Sequence, residues 1–64
     1  DLLTIEGTEL MENVAILDIS GKVLFSSTNA SVIHNLNIES LSRGMYLVRF
    51  ISNNETYTKQ FVKQ

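Results

Sequence analysis

Apolar and polar residues alternate with a period of two along most of the chain, the pattern expected of strands that bury one face. Ile, Val and Thr supply 16 of the 64 residues and proline is absent, so β-branched chemistry favours strands and no strand lacks an amide donor. No segment has the 3.6-residue period of an amphipathic helix. The pattern predicts an all-β domain with strands at residues 2–6, 13–18, 22–26, 32–38, 45–52 and 55–63.

Two of the connections have the residues of tight hairpin turns. Asp18 suits the first position of a type I turn, and Gly21 can take the left-handed conformation that closes such a turn with a bulge. Asp18 is then expected to face Lys22 across the hairpin. Asn53 and Asn54 tolerate positive φ angles and suit a two-residue type I′ turn. Each turn predicts antiparallel pairing of the two strands that it joins.

The two-residue turn decides which side chains of the last two strands share a face. A loop one residue longer would oppose Arg49 with Lys59, and like charges directly across a strand pair are unfavourable. The preferred register places Lys59 on a largely aromatic face, where it either reaches solvent at the sheet edge or lies over a ring. The other residues predicted on this face are Tyr46, Val48, Phe50, Tyr57 and Phe61.

Residues 36–46 have the features of a corner between two sheets. Leu41 can fill the bottom of a sandwich, Gly44 permits the backbone to reverse, and Tyr46 begins the next strand, where its hydroxyl can bond back to the corner. This arrangement resembles the tyrosine corner of immunoglobulin-like sandwiches. Six or seven short strands at this spacing predict a small immunoglobulin-like antiparallel β-sandwich.

Length and composition limit the chain to one small domain, residues 1–64, and exclude several kinds of function. A domain of this length must bury nearly all of its apolar side chains. Without cysteine it has no disulfide, thiolate metal site or cysteine nucleophile. No apolar run approaches the roughly 20 residues that cross a bilayer. Because the chain begins at Asp1 rather than at a methionine, we expect it to be part of a longer protein.

The net charge of −2 is unevenly distributed. Residues 1–40 carry a net −5 and residues 41–64 a net +3, so the C-terminal end is basic. Four separated cations are too few for a groove that follows phosphates, and nucleic acid is therefore not expected as a partner. Among the acidic residues, Glu6, Glu9 and Glu12 are expected to form a solvated loop between the first two strands.

No constellation of residues predicts catalysis, a metal or a cofactor. His34 is the only histidine, and together with Asp18 and either Ser20 or Ser31 it would supply the residue types of a catalytic triad. However, no serine lies in a Gly-x-Ser-x-Gly elbow, and a chain this short encloses no deep cleft. His34 is in phase with the apolar residues of its strand, so a histidine that is partly buried or at the rim of the core is expected. Residues 53–55 lack the alternating carboxylates of a calcium loop.

Three sequence blocks, in their order and spacing, resemble one protein family. The blocks are residues 18–23 (DISGKV), 41–49 (LSRGMYLVR) and 59–63 (KQFVK). They resemble the type A C-terminal sorting domain of bacterial type IX secretion substrates, and the resemblance covers essentially all 64 residues. Members usually open with a Pro-Asn-Pro turn. This chain has no proline, so we expect it to be trimmed at its N-terminal edge, just after that turn.

The resemblance implies that the domain acts as a sorting signal, which directs the protein that carries it to its destination. Such domains are folded signals that follow a cargo domain in secreted or surface proteins of Bacteroidetes-type bacteria. They are recognised by the translocation machinery of the outer membrane and usually removed by a sortase-like protease that attaches the cargo to lipopolysaccharide. The implied route runs through the periplasm to the outer membrane, the cell surface or the medium. The domain is then a substrate rather than an enzyme and needs no cofactor.

The family pattern also assigns residues, and each of them has a purely structural interpretation beside the functional one. A corner needs Gly44 in any case, the aromatic side chains are expected in the core, and exposed lysines keep an edge strand from aggregating. Asp18 and Gly21 are assigned to a hairpin. The residues that the pattern assigns to recognition are Gly44, Tyr46, Lys59, Phe61, Val62 and Lys63.

Two other functions remain open at this level. An immunoglobulin-like or fibronectin-like adhesion module of a cell-surface protein would have the same fold, but it would lie inside its parent chain and its last residues would not direct export. A small enzyme would need a cleft with perturbed ionisable groups. An incomplete sandwich with an open edge could also form a homodimer or exchange a strand with a second copy.

Overall fold

The chain folds into strands connected by short turns. A computed structural model describes residues 2–64, so Asp1 lies outside the described residues. The strands are β1 Leu2–Asp18, β2 Val23–Ser27, β3 Ser31–Asn37, β4 Gly44–Ser52 and β5 Glu55–Lys63. All pairings are antiparallel, in the order β2-β1-β4-β5 with β3 also paired to β1. The prediction of an all-β domain is confirmed, and residues 2–64 contain no helix that could span a membrane.

The length of β1 corrects the sequence prediction. Strands were expected at residues 2–6 and 13–18 with an acidic loop between them, whereas β1 runs without a break for 17 residues. The expected number of strands, six or seven, was therefore wrong, because the described chain has five. The loop assigned to Glu6, Glu9 and Glu12 was also wrong, although all three side chains are exposed as expected.

Local irregularities explain how β1 stays extended through this acidic stretch. Its pairing with β3 changes register between Glu6 and Met11, and its pairing with β4 changes register between Glu12 and Ala15. Asn13, within the second of these irregularities, has a positive φ of 52°. An extra residue in a strand bends it while the chain remains extended. The first part of β1 can therefore pair with β3, and the last part with β2 and β4.

The two ladders that share β1 enclose one hydrophobic core. The two-stranded ladder consists of β3 and the first part of β1, and the four-stranded ladder consists of β2, the last part of β1, β4 and β5. A core drawn from both is consistent with the predicted two-layer sandwich. The buried cluster contains Met11, Val14, Ile16, Leu36, Ile38, Tyr46, Val48 and Phe50, and Leu3, Ile5, Leu41 and Phe61 pack against it.

His34 of β3 bonds to β1 close to the bend of that strand. Its side chain is 7% exposed, which makes it more deeply buried than the sequence suggested. Its Nε2 atom lies 2.9 Å from the backbone carbonyl oxygen of Met11. Because a carbonyl oxygen only accepts hydrogen bonds, this contact assigns a proton to Nε2. His34 is thus bonded to β1 where the strand passes between ladders.

Both predicted hairpins are confirmed. In the first, the Gly21 amide donates to the Asp18 carbonyl and the Asp18 amide donates to the Lys22 carbonyl, each at 3.0 Å, and Gly21 has a φ of 92°. In the second, Asn53 and Asn54 have φ angles of 53° and 63°, as a type I′ turn requires. The second turn sets the pairing of β4 with β5 along their full length.

The carboxylate of Asp18 organises the first turn. Its Oδ1 atom accepts hydrogen bonds from the Ser20 hydroxyl at 2.6 Å, the Ser20 amide at 2.9 Å and the Lys22 amide at 2.9 Å. These bonds stabilise the ionised form, so they hold the pKa of Asp18 below its ordinary value, with the Ser20 hydroxyl as the largest cause. The turn is therefore sensitive to acid.

We predict that the Asp18→Asn variant loses part of the acid sensitivity of the fold. Because the pKa is depressed in the folded state, ionised Asp18 contributes stability above about pH 4 that is lost as the pH falls through the folded value. Urea unfolding between about pH 7 and pH 2 should give a shallower fall in the free energy of unfolding for the variant. Glu12→Gln, at another exposed carboxylate, is the control. Equal acid slopes for the unmodified chain and Asp18→Asn would contradict the prediction.

Candidate functional site

The last strand, β5, lies at the edge of the four-stranded ladder and pairs with β4 along its whole length. Within residues 2–64, no strand pairs with its other edge. Most of its side chains are exposed, and only Phe61 and Lys63 are half-buried. The strand predicted to be recognised is therefore accessible along most of its length.

Lys63 connects the end of β5 to the corner between β3 and β4. Its Nζ atom donates hydrogen bonds to the backbone carbonyls of Ile38 and Leu41, both at 2.7 Å, and of Glu39 at 3.1 Å. An ammonium group has three donors, so these three carbonyls match its capacity. The corner residues between the strands thereby gain partners for carbonyl groups that face no neighbouring strand.

The corner itself has the predicted tyrosine arrangement. The Tyr46 hydroxyl donates to the backbone carbonyl of Ser42 at 2.5 Å, and the Leu41 amide donates to the carbonyl of Ile38 at 3.0 Å. Leu41 packs against the core, as expected. Gly44 has a φ of 152°, a conformation that side-chain-bearing residues rarely adopt. The corner is thus closed by one hydroxyl, one glycine and one apolar side chain.

Five of the six predicted site residues come together at one end of the β4–β5 pair. Gly44 pairs with Lys63, and Tyr46 pairs with Phe61 with ring centroids 5.7 Å apart. Val62 lies between Phe61 and Lys63 and faces the opposite side of the sheet, where it is 58% exposed. Phe61 and Lys63 therefore face the inside of the domain, whereas Val62 faces solvent.

Lys59 lies apart from this group, opposite Val48 on the inner face. It is exposed and lines a cleft of about 450 Å³ with Tyr57, Glu6 and Glu9 among the other lining residues. The inner face of β5 is thus left uncovered here, so Lys59 reaches solvent, which is one of the two alternatives left open by the sequence. The charge of Glu55 and its hydrogen bond raise the pKa of the Tyr57 hydroxyl.

Sequence reasoning missed Met45 as part of this region. Met45 pairs directly with Val62 and is 47% exposed on the same outer face. The signal was present, because the register of the Asn53–Asn54 turn already opposes position 45 to position 62. Met45 was missed because the family pattern assigns its two neighbours, Gly44 and Tyr46, to recognition but not Met45 itself.

The groups considered for catalysis do not assemble. The Nε2 atom of His34 is bonded to a backbone carbonyl, and the Asp18 carboxylate is bonded within its own turn to Ser20. The Ser31 hydroxyl accepts a bond from the backbone amide of Ile33. Among residues 2–64, no group of three His, Asp or Glu side chains could hold a metal ion.

We predict that Tyr46→Phe lowers the free energy of unfolding by about 1–2 kcal/mol, because the Ser42 carbonyl loses its donor while the ring still packs. Urea unfolding measures the change. Tyr57→Phe is the matched control, since that hydroxyl is exposed and bonds only to Glu55, at 3.3 Å. It should change the stability by no more than about 0.5 kcal/mol. Equal effects of the two substitutions would argue against a role of the corner bond in stability.

We predict a larger loss, about 2–3 kcal/mol, for Lys63→Met, which keeps an aliphatic chain but leaves three corner carbonyls without their charged donor. Lys59→Met on the same strand is the control and should stay within about 0.5 kcal/mol of the unmodified chain. Urea unfolding of both variants measures the change in the free energy of unfolding. Amide hydrogen exchange at residues 38–41 should become faster in Lys63→Met but not in Lys59→Met. Unchanged exchange at the corner would contradict the role given to Lys63.

Comparison with known proteins agrees with the resemblance noted in the sequence. The family model described as the secretion system C-terminal sorting domain matches residues 1–64, so the family prediction is confirmed. No curated protein and no solved structure gives a significant match. Because the family model spans the whole chain, the chain belongs to the family of secretion system C-terminal sorting domains.

Proposed function

We propose that the outer-membrane machinery of type IX secretion recognises the domain in its folded state, through the last strand and the corner beside it. As a member of its family, it is a non-catalytic C-terminal sorting signal for secretion, and its cargo is exported to the cell surface or the medium. The finer proposal concerns which part of the domain is recognised. The observation that carries it is the bonding of Lys63 to three carbonyls of the corner.

Lys63 makes the last strand and the corner a single unit. The end of a chain ordinarily frays, because few contacts hold it. Here the pairing of Gly44 with Lys63 and the ammonium contacts hold β5 to its last paired residue. A receptor that binds this end meets a preformed surface and does not have to order a flexible peptide, which lowers the entropic cost of recognition.

The residues assigned to recognition divide into two roles under this proposal. Tyr46, Phe61 and Lys63 maintain the shape of the corner, since they are buried or half-buried and face inward. Val62 and Lys59 are exposed and available for direct contact. Gly44 supplies the backbone conformation that brings β4 next to the end of β5.

The remaining steps follow from the family resemblance. The cargo domain precedes this domain in the parent chain, the parent crosses the periplasm, and a sortase-like protease removes the domain when the cargo is attached at the cell surface. The adhesion-module alternative is less well supported, because the family match is to a sorting domain and extends over the whole chain.

The proposal predicts that export depends on the fold as well as on the last residues. The whole chain, with a Pro-Asn-Pro turn restored upstream, is fused behind a reporter that carries an ordinary periplasmic signal and is expressed in a host with the type IX machinery. The unmodified fusion should reach the surface or the medium, and deletion of residues 59–64 should leave it in the periplasm. Surface labelling and cell fractionation measure the distribution.

A buried substitution separates recognition of a fold from recognition of a linear tail. Ile16 is 1% exposed, and Ile16→Asp should unfold the domain while leaving residues 59–64 intact, so export should be lost. Thr8→Asp, at an exposed position in the first part of β1, is the matched control and should be exported. Export of the Ile16→Asp fusion would refute recognition of the fold. Export after deletion of residues 59–64 from a domain that still folds would refute the role of the last strand.

A further inference from the structure

The outer face of the four-stranded ladder carries a continuous apolar surface. Leu17 of β1 pairs with Val23 of β2 and with Leu47 of β4, so these three side chains form a row across three strands. Met45 and Val62 form the next row on the same face, between β4 and β5. We call these five residues, Leu17, Val23, Met45, Leu47 and Val62, the outer apolar patch.

The outer apolar patch is partly exposed to solvent. Leu17 is only 5% exposed although it faces away from the core cluster, which indicates that its neighbours on this face cover it. Val23, Met45 and Val62 are each about half exposed, at 48%, 47% and 58%. A domain of 64 residues gains stability by burying its apolar side chains, so a group of them left together on one face points to a contact with another molecule.

Positive charges border the outer apolar patch. Arg49 lies on the same face, two residues along β4 from Leu47, Arg43 directly precedes β4, and Lys22 directly precedes Val23. Arg43 and Arg49 are exposed, and neither has a carboxylate partner within residues 2–64. The border is thus basic, and the charges of Arg43 and Arg49 are not paired with carboxylates within residues 2–64.

Four of the six carboxylates within residues 2–64 lie away from the patch. Glu12 and Glu55 are at the far end of the ladder, opposite Ile51 and Ser52, and Glu6 and Glu9 belong to the first part of β1. Near the patch, Asp18 has its carboxylate bonded within its own turn, and Glu39 belongs to the corner. This separation of charge favours a partner with acidic groups around its contact surface.

We infer that the outer apolar patch docks a protein of the export machinery through an apolar surface bordered by carboxylates. The inference rests on the proposed function and specifies the face that is read. Two copies of the domain fit less well, because a two-fold interface through the patch brings the basic border of each copy towards the other. A lipid surface also fits less well, because the patch is aliphatic and lacks the Trp and Tyr side chains that anchor proteins at membrane interfaces.

The test compares two double variants of the exported fusion. Met45→Ser with Val62→Ser removes the row of exposed side chains that β4 and β5 contribute to the patch. Leu2→Ser with Ile33→Ser is the matched control, because these residues are 67% and 48% exposed on the outer face of the two-stranded ladder. Both variants should keep the urea midpoint of the unmodified chain. The first should reduce surface delivery about tenfold, the change that ~1.4 kcal/mol of lost binding produces, and the control should not.

Charge reversal tests the acidic border of the partner. Arg43→Glu with Arg49→Glu should also reduce surface delivery about tenfold, since it turns attraction into repulsion. Normal delivery of either the serine or the glutamate double variant overturns the inference while leaving the proposed function intact. If the unmodified fusion is not exported, the proposed function fails and the docking site fails with it.

Two measurements on the purified domain test the alternative partners of the patch, a second copy of the domain and a lipid surface. Light scattering after size exclusion gives its mass, and a dimer that Met45→Ser with Val62→Ser dissociates would assign the patch to a second copy. Co-sedimentation with vesicles of phosphatidylethanolamine and phosphatidylglycerol tests a lipid surface, and binding that the same variant abolishes would assign the patch to lipid. Either result overturns the inference. A monomer that leaves the vesicles unbound supports it.

Discussion

The ammonium group of Lys63 is the contact on which the end of this domain depends. Three backbone carbonyls of the corner between β3 and β4 converge on one charged donor that comes from the last paired residue of the chain. In a chain of 64 residues without disulfides, few other contacts could hold a terminal strand to an irregular segment. The contact joins the end of β5 to the tyrosine corner, so a substitution at either position is expected to loosen both.

The two faces of β5 separate stability from recognition. Phe61 and Lys63 face inward and hold the corner, whereas Val62 faces outward beside Met45. Strand geometry makes this separation unavoidable, since successive side chains point to opposite sides of the sheet. A signal built on an edge strand can therefore vary its outward residues with little effect on the fold, while its inward residues are constrained by packing.

The bend in β1 allows five strands to enclose a core. β1 takes part in both ladders, so no loop is needed to connect them. The buried hydrogen bond from His34 to the Met11 carbonyl stabilises β1 next to the bend. The cost is an open region over the inner face of β5, where Lys59 and Tyr57 remain exposed beside a cleft. A small chain can thus form a layered core only by leaving part of one layer uncovered.

The sequence by itself determined the strand content, both hairpins, the β4–β5 register and the tyrosine corner, because alternation, turn residues and hairpin pairing are local. The turn at Asn53 and Asn54 alone assigns every partner along β5. Tertiary structure decided the rest. The continuity of β1 depends on pairing with β3 at one end and with β4 at the other, and these partners are distant in sequence. The three glutamates in the middle of β1 are locally typical of a loop, which is why the sequence predicted one there. The bonds of Lys63 join residues 22 to 25 positions apart, so they exist only once the sheet has brought the chain's end beside the corner.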